Sequence, residues 1–161
     1  LPPPHLVIAG AGHIGKALTH LGKLLDFEVT VIDQRAEYAN RANIPDADHL
    51  VADDIGQAMG KLKKTPDTYI VIVTHGHKHD ADALRACIGS GAAYVGMIGS
   101  RKKISLMRKN AIEEKWATPR QWEQIYAPIG LPIRSESEQE IAISIAAQLV
   151  LVRNSKIHAY D

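Results

Sequence analysis

His5–Gly15 reads HLVIAGAGHIG, and this stretch decides the fold. Its first half, His5–Gly10, is a short apolar run of the kind that forms a strand buried on both faces. The run enters Gly10-Ala11-Gly12-His13-Ile14-Gly15, a G-x-G-x-x-G turn. Ile14–Leu25 follows with apolar residues at Ile14, Ala17, Leu18, Leu21, Leu24 and Leu25, the spacing of an amphipathic helix. In a strand–turn–helix of this kind, Gly10 permits the tight turn. Gly12 lets a diphosphate approach the backbone, and Gly15 lets helix and strand pack closely. The start of the helix offers unpaired N–H groups and a positive dipole end to an anion. Gly10, Gly12, His13, Ile14 and Gly15 are therefore expected to line a dinucleotide site.

The next segment supports that reading. Glu28–Asp33 (EVTVID) is a β-branched strand ending in Asp33, where the dinucleotide fingerprint places a ribose-binding carboxylate. A carboxylate there repels a 2′-phosphate, so NAD(H) is expected over NADP. Arg35, two residues on, leaves NADP open.

Working outward, strands and helices alternate. Leu50–Ala52 reads as a weak strand, followed by a helix from Asp53 or Asp54 to about Lys64. Thr68–Thr74 (TYIVIVT) is the strongest strand. Asp80–Ile88 reads as a helix and Ala93–Ile98 (AYVGMI) as a fifth strand. Ser100–Lys115 is a basic helix, and Thr118–Ile125 a shorter one with Pro119 in its first turn. Ser137–Arg153 is a long apolar helix that opens on the capping box Ser137/Glu140. This rhythm predicts a single α/β domain, a Rossmann-like doubly wound parallel sheet with helices on both faces, over residues 5–153. Residues 1–4 (LPPP) read as a proline-rich linker or N-terminal arm, so a further N-terminal domain is expected in a longer protein. Residues 154–161 read as a tail. Ile141, Ile145, Leu149 and Val152 share one face of the last helix and could serve a homodimer interface.

Bulk properties narrow the class. With 161 residues, the chain fits one ordinary domain. A net charge of +1 gives no reason to expect nucleic acid as partner, and no apolar run approaches the length of a membrane span. One cysteine, Cys87, excludes an internal disulfide and fits a reducing, cytoplasmic setting. Within its helix it reads as a buried, inert thiol.

Two further segments carry candidate chemistry. The strongest strand runs into Thr74-His75-Gly76-His77-Lys78-His79-Asp80. In open α/β sheets ligands bind beyond the carboxyl ends of the strands, so Thr74, His75 and His77 should face the crevice of the glycine turn. His75 and His77 could converge on a metal, with a third ligand needed from His79, Asp80 or a distant residue, or contact the bound ligand directly. Asp80 reads as a helix-start acid complementing the dipole. The fifth strand ends in Gly99-Ser100-Arg101. Ser100 can cap the next helix, whose basic first turn opposes its dipole. An anion held by Gly99, Ser100 and Arg101 would relieve that conflict.

Taken together, Leu6–Gly15, Val31–Arg35 (VIDQR), Val73–Asp82 (VTHGHKHDAD), Ala93–Lys103 (AYVGMIGSRKK), Ala127–Leu131 (APIGL) and Glu140–Ile145 (EIAISI) resemble the Rossmann domain of the XdhC/CoxI family. These are accessory factors of molybdenum hydroxylases such as xanthine dehydrogenase. The resemblance implies a non-catalytic maturation factor that binds the molybdenum cofactor and aids its sulfuration or insertion. The implied partner is a molybdenum hydroxylase. The ligand is NAD(H) or a molybdopterin-type dinucleotide, whose diphosphate the glycine turn could hold while His75 and His77 approach the pterin. The family's cysteine near its N-terminus has no match in Cys87, so no catalytic residue is carried over. Two alternatives follow from the residues: an NAD-dependent oxidoreductase using His75 or His77 as acid or base, and a regulatory domain that senses NAD.

Overall fold

The computed structural model describes residues 2–158. Five strands form one parallel sheet: β1 (His5–Ala9), β2 (Glu28–Asp33), β3 (His49–Ala52), β4 (Thr68–Ile72) and β5 (Tyr94–Met97). Their order is β3-β2-β1-β4-β5. His5 of β1 stands beside both Glu28 of β2 and Thr68 of β4. The chain order therefore reverses between β1 and β4, and in a doubly wound sheet that switch point opens a crevice at the carboxyl ends of the strands.

The alternation of side chains along β1 divides the core. Leu6 and Ile8 point to one face, where they meet Leu18 of α1 (His13–Leu24) and Ile145 and Leu149 of α6 (Glu138–His158). Val7 and Ala9 point to the other face. There they meet α2 (Ile55–Lys61), α3 (His77–Cys87), α4 (Arg101–Glu113) and α5 (Pro119–Glu123). Both faces of β4 are buried, which is why its sequence is continuously apolar rather than alternating. The expected class, a doubly wound sheet covered on both faces, is the one observed.

Beyond β5 the sheet edge is closed by an irregular segment. Met97 N–H donates to Tyr126 O at 3.0 Å, and Tyr126 N–H to Val95 O at 2.9 Å. This covers backbone groups that an open edge would leave free to pair with another chain.

Several boundaries move. The third helix begins at His77, not Asp80, because Gly76 in extended conformation serves as its N-cap. The second helix stops at Lys61 rather than about Lys64, and Asp54 Oδ1 caps it by accepting from Gln57 N–H. The last helix continues to His158 instead of ending at Arg153. Its hydrogen bonding simply propagates, since no glycine or proline follows Arg153 to break it. Residues 154–158 of the expected tail are thus helical, and 159–161 lie outside the described residues. Of the expected N-terminal arm, Pro2–Pro4 have no regular structure, but Pro4 O accepts from Glu28 N–H at 3.0 Å and aligns the arm with β2.

The face of α6 expected for a dimer is used inside the molecule. Ile145 and Leu149 are fully buried, and Ile141 and Val152 pack partly against the same core. The trough beside α1 needs apolar cover, and α6 supplies it. Among the described residues, Ile143 and Leu151 are the large apolar residues that α6 leaves exposed.

Candidate functional site

The glycine turn is built as its spacing requires. Gly10 adopts φ +123°, and a Cβ there would lie 2.3 Å from the Val73 carbonyl oxygen. A Cβ on Gly15 would lie 1.9 Å from the Gly10 carbonyl oxygen, so the start of α1 rests directly on the end of β1. Gly12 differs from both: a Cβ there would meet nothing within 4 Å. That side of the turn is open space. Gly12 is also the N-cap of α1, with no side-chain capping bond and no acidic residue in the first turn. Among the described residues, the amides of Gly12, His13, Ile14 and Gly15 have no protein acceptor. Unpaired N–H groups, a helix dipole and open space are what a diphosphate needs. His13 is exposed and Ile14 half-buried. His13 lines a hollow of about 540 Å³ between α1 and α6, shared with Lys16, Ala17, Ile44 and Ile143.

Asp33 does not have the free carboxylate expected of a ribose ligand. It is completely buried. Its Oδ2 accepts from Ala11 N–H and Arg35 Nη2–H, each at 2.9 Å. Its Oδ1 accepts from Arg35 N–H at 2.9 Å and Nε–H at 3.0 Å. Burial pushes its pKa up, but the Arg35 side chain and the Ala11 and Arg35 amides outweigh burial and hold the carboxyl below its ordinary range. The sequence placed Asp33 beside the turn correctly. Tertiary contacts decided that it ties the turn to β2 instead of pointing outward. Arg35 is the accessible member of the pair, with 23% of its side chain exposed and its guanidinium 3.9 Å from the Tyr38 ring centroid.

On the other side of the switch point, Thr74, His75, Gly76, His77 and Gly99 line a cleft of about 250 Å³ with Asp80 and Lys103. Ile98, Ile104 and Met107 supply its apolar wall. Of the expected anion contacts at the end of β5, Gly99 borders the cleft, while Ser100 and Arg101 do not. Ser100 Oγ accepts from Lys103 N–H at 3.2 Å and caps α4, and Arg101 is exposed. Lys103, two positions further round the first turn than Arg101, borders the cleft instead. Thr74 faces Asp80: its hydroxyl and its amide donate to Asp80 Oδ1 at 2.6 and 3.0 Å.

Sequence reasoning missed Lys103 as a lining residue and the burial of Asp80. The signal was present in the acid closing the THGHKHD run, but an acid in a first helical turn ordinarily faces solvent. Here only 7% of Asp80 is exposed. Burial raises its pKa to about 6, against the hydrogen bonds from Thr74 and the nearby His77 and His79.

Two of the histidines lie against one another and against the end of β2. The rings of His75 and His79 lie 4.9 Å apart, and His79 Nε2 is 3.2 Å from Gln34 Nε2 at the end of β2. That pair spans the crevice between the β2 and β4 ends. Among the described residues, no group of three His, Cys, Asp or Glu side chains is placed to hold a metal ion. The expected convergence of His75 and His77 with a third ligand is therefore not assembled among the described residues: His77 begins a helix, and the His75 ring lies tilted against that of His79 instead. Cys87 is buried, and desolvation pushes its thiol up to about 12, in keeping with an inert sulfur. No helix among the described residues is long and apolar enough to cross a membrane.

Residues 6–149 match the family described as the XdhC Rossmann domain. The chain belongs to this family. The XdhC domain is 33% identical over 153 residues to a protein named uncharacterized protein YqeB from Escherichia coli, covering 94% of this chain and 28% of that protein. It is 28% identical over 152 residues to a Bacillus subtilis protein named as a probable component of xanthine dehydrogenase, covering 94% of this chain and 44% of that one. A solved structure described as a xanthine dehydrogenase from Bacillus halodurans superposes with a TM-score of 0.84 at 29% identity, over 96% of this chain and 44% of that chain. An imine reductase from Pseudomonas, at 18% identity and TM-score 0.50 over 70% of this chain and 38% of that one, shares the fold alone. The XdhC domain thus spans less than half the length of these relatives.

Proposed function

We propose that this XdhC domain is the dinucleotide-holding part of an accessory factor for a molybdenum hydroxylase of the xanthine dehydrogenase type. Its ligand is NAD(H) or the molybdenum cofactor in its dinucleotide form. Its role is to hold that molecule during sulfuration or insertion rather than to turn over a substrate. One observation carries the reading: Gly12 faces open space at the unpaired N-terminus of α1, beside the switch point of the sheet. The relatives described as xanthine dehydrogenase proteins support the choice of client.

The residues present fit a diphosphate-bridged ligand. The amides of Gly12, His13, Ile14 and Gly15 would hold the diphosphate, and Arg35 with Tyr38 would flank the nucleoside end. The Thr74–Asp80 cleft would receive the other end. The cofactor itself would supply any redox chemistry in the client enzyme. This chain's residues bind, orient and shield it.

Thermal shift with NAD, NADP, cytidine diphosphate and molybdopterin cytosine dinucleotide tests the reading, with Gly12→Asp as control. Ligand at 100 times its Kd adds about 2.7 kcal/mol, a displacement of several degrees. A shift with molybdopterin dinucleotide that Gly12→Asp abolishes supports the accessory role. A shift with NAD or NADP alone, together with hydride transfer, replaces it by an oxidoreductase. A change of oligomeric state on NAD binding replaces it by a sensor.

A further inference from the structure

The cleft between the ends of β4 and β5 has a polar floor whose acceptor is left over after the protein's own hydrogen bonds are made. Asp80 is more than nine-tenths buried. Both hydrogen bonds it receives, from the Thr74 hydroxyl and amide, go to Oδ1. Among the described residues, Oδ2 has no protein partner. Nor is it sealed off: among the same residues, Ser90 Oγ alone is a fully enclosed side-chain polar atom without a partner. Oδ2 therefore keeps accessible surface, and Asp80 lines the cleft. Oδ2 is thus an acceptor open to the cleft and held outward by the two bonds to Oδ1, where a donor on a bound molecule can reach it.

The rest of the cleft restricts what that donor is. Ile98, Ile104 and Met107 offer an apolar, polarizable wall, and the space is about 250 Å³. That volume admits a flat heterocycle lying against the apolar wall, with Thr74, His75, His77 and Lys103 as a polar rim. An anionic group at Oδ2 would be repelled by the carboxylate, which separates this end of the crevice from the diphosphate cradle at Gly12. Lys103 also borders the cleft and makes no ion pair among the described residues, leaving it free for a charge further along the ligand.

We propose that Asp80 Oδ2 is the recognition acceptor for the headgroup of the ligand, a nitrogen heterocycle whose N–H group donates into the cleft while its face packs on Ile104 and Met107. This rests on the dinucleotide reading above and deepens it. Two headgroups share the chemistry: the carboxamide of a nicotinamide and the amino–oxo edge of a pterin. Thr74 is a positioning residue, since its two bonds to Oδ1 aim Oδ2 outward.

Asp80→Asn tests the assignment. Asparagine keeps an acceptor for Thr74 and replaces the free oxygen by an N–H₂ donor of equal size. The probes are NAD, its deamidated form with a carboxylate in place of the carboxamide, molybdopterin cytosine dinucleotide, and ADP and cytidine diphosphate as fragments without a headgroup. If the headgroup is nicotinamide, wild type binds NAD at least tenfold tighter than the deamidated form, and Asp80→Asn reverses that order. If it is a pterin, Asp80→Asn weakens the molybdopterin dinucleotide at least tenfold. In both cases ADP and cytidine diphosphate change less than twofold, which shows that the variant is folded and its cradle intact. Equal binding of the full dinucleotides by wild type and Asp80→Asn overturns the assignment and leaves the dinucleotide reading standing. No binding of any dinucleotide to wild type overturns both.

Discussion

The amide of Ala11 donates to Oδ2 of Asp33 at 2.9 Å, so a residue inside the glycine turn is fastened to the last residue of β2. The same carboxylate holds Arg35 through two side-chain bonds. Removing it leaves a half-buried guanidinium and a turn amide without partners. Asp33→Ala is expected to cost about 2–4 kcal/mol, the scale of a broken buried pair with charged hydrogen bonds. Urea denaturation measures it. If the loss is below about 1 kcal/mol, Asp33 is not the fastening described.

Asp33 also predicts acid lability. Its folded pKa is depressed below its unfolded value, so its contribution is present above pH 3.8 and is lost as pH falls below that through the folded value. Melting curves between pH 2 and 5 should show a steep fall that Asp33→Asn flattens. Parallel curves for the two proteins would contradict this.

Two glycines of one turn should behave oppositely. Gly15→Ala drives a Cβ to within 1.9 Å of the Gly10 carbonyl oxygen, a clash of backbone against backbone, and should destabilise by about 3 kcal/mol or more. Gly12→Ala meets nothing within 4 Å and should cost under about 1 kcal/mol. It should nonetheless weaken dinucleotide binding, because the methyl group occupies the diphosphate's place. A Gly12→Ala protein that keeps full affinity would remove the diphosphate from that spot.

Asp80 reverses the usual carboxylate behaviour. Its pKa is raised from 3.8 to about 6, so the folded protein favours its protonated form. The stability this gives is complete below pH 3.8 and is lost as pH rises through about 6. His75, His77 and Lys103 line the cleft with the carboxylate, and His79 lies close by. Asp80→Asn should therefore exceed wild type at pH 8 by roughly 2–3 kcal/mol and fall to near parity at pH 4. Calorimetry at the two pH values decides it: an advantage independent of pH would show that the carboxylate is not strained by burial.

Cys87 should be silent toward a thiol reagent in the native state. It is fully buried, and its pKa is pushed up to about 12, so almost no thiolate exists at neutral pH. One equivalent should react promptly in denaturant and very slowly without it. Fast native labelling would mean that α3 opens locally.

The sequence alone determined the architecture. Continuous apolar strands such as TYIVI, helical spacing after each, and glycines placed where backbones must touch are local signals that any sheet of this class must carry. It also marked the turn, because Gly10, Gly12 and Gly15 act through main-chain geometry that depends on a few neighbouring residues. The tertiary structure decided how the side chains are paired. Asp33 and Arg35 lie two apart in sequence, but whether the carboxylate faces a ligand or Ala11 depends on how closely the turn settles on β2. Asp80 became a buried acceptor because the residues around the β4 and β5 ends pack about it, and helical phase sets Lys103 rather than Arg101 beside the cleft. The α6 residues expected at an interface joined the core for the same reason: burial belongs to the assembled layers, and a sequence pattern records only that a face is apolar, not what will cover it.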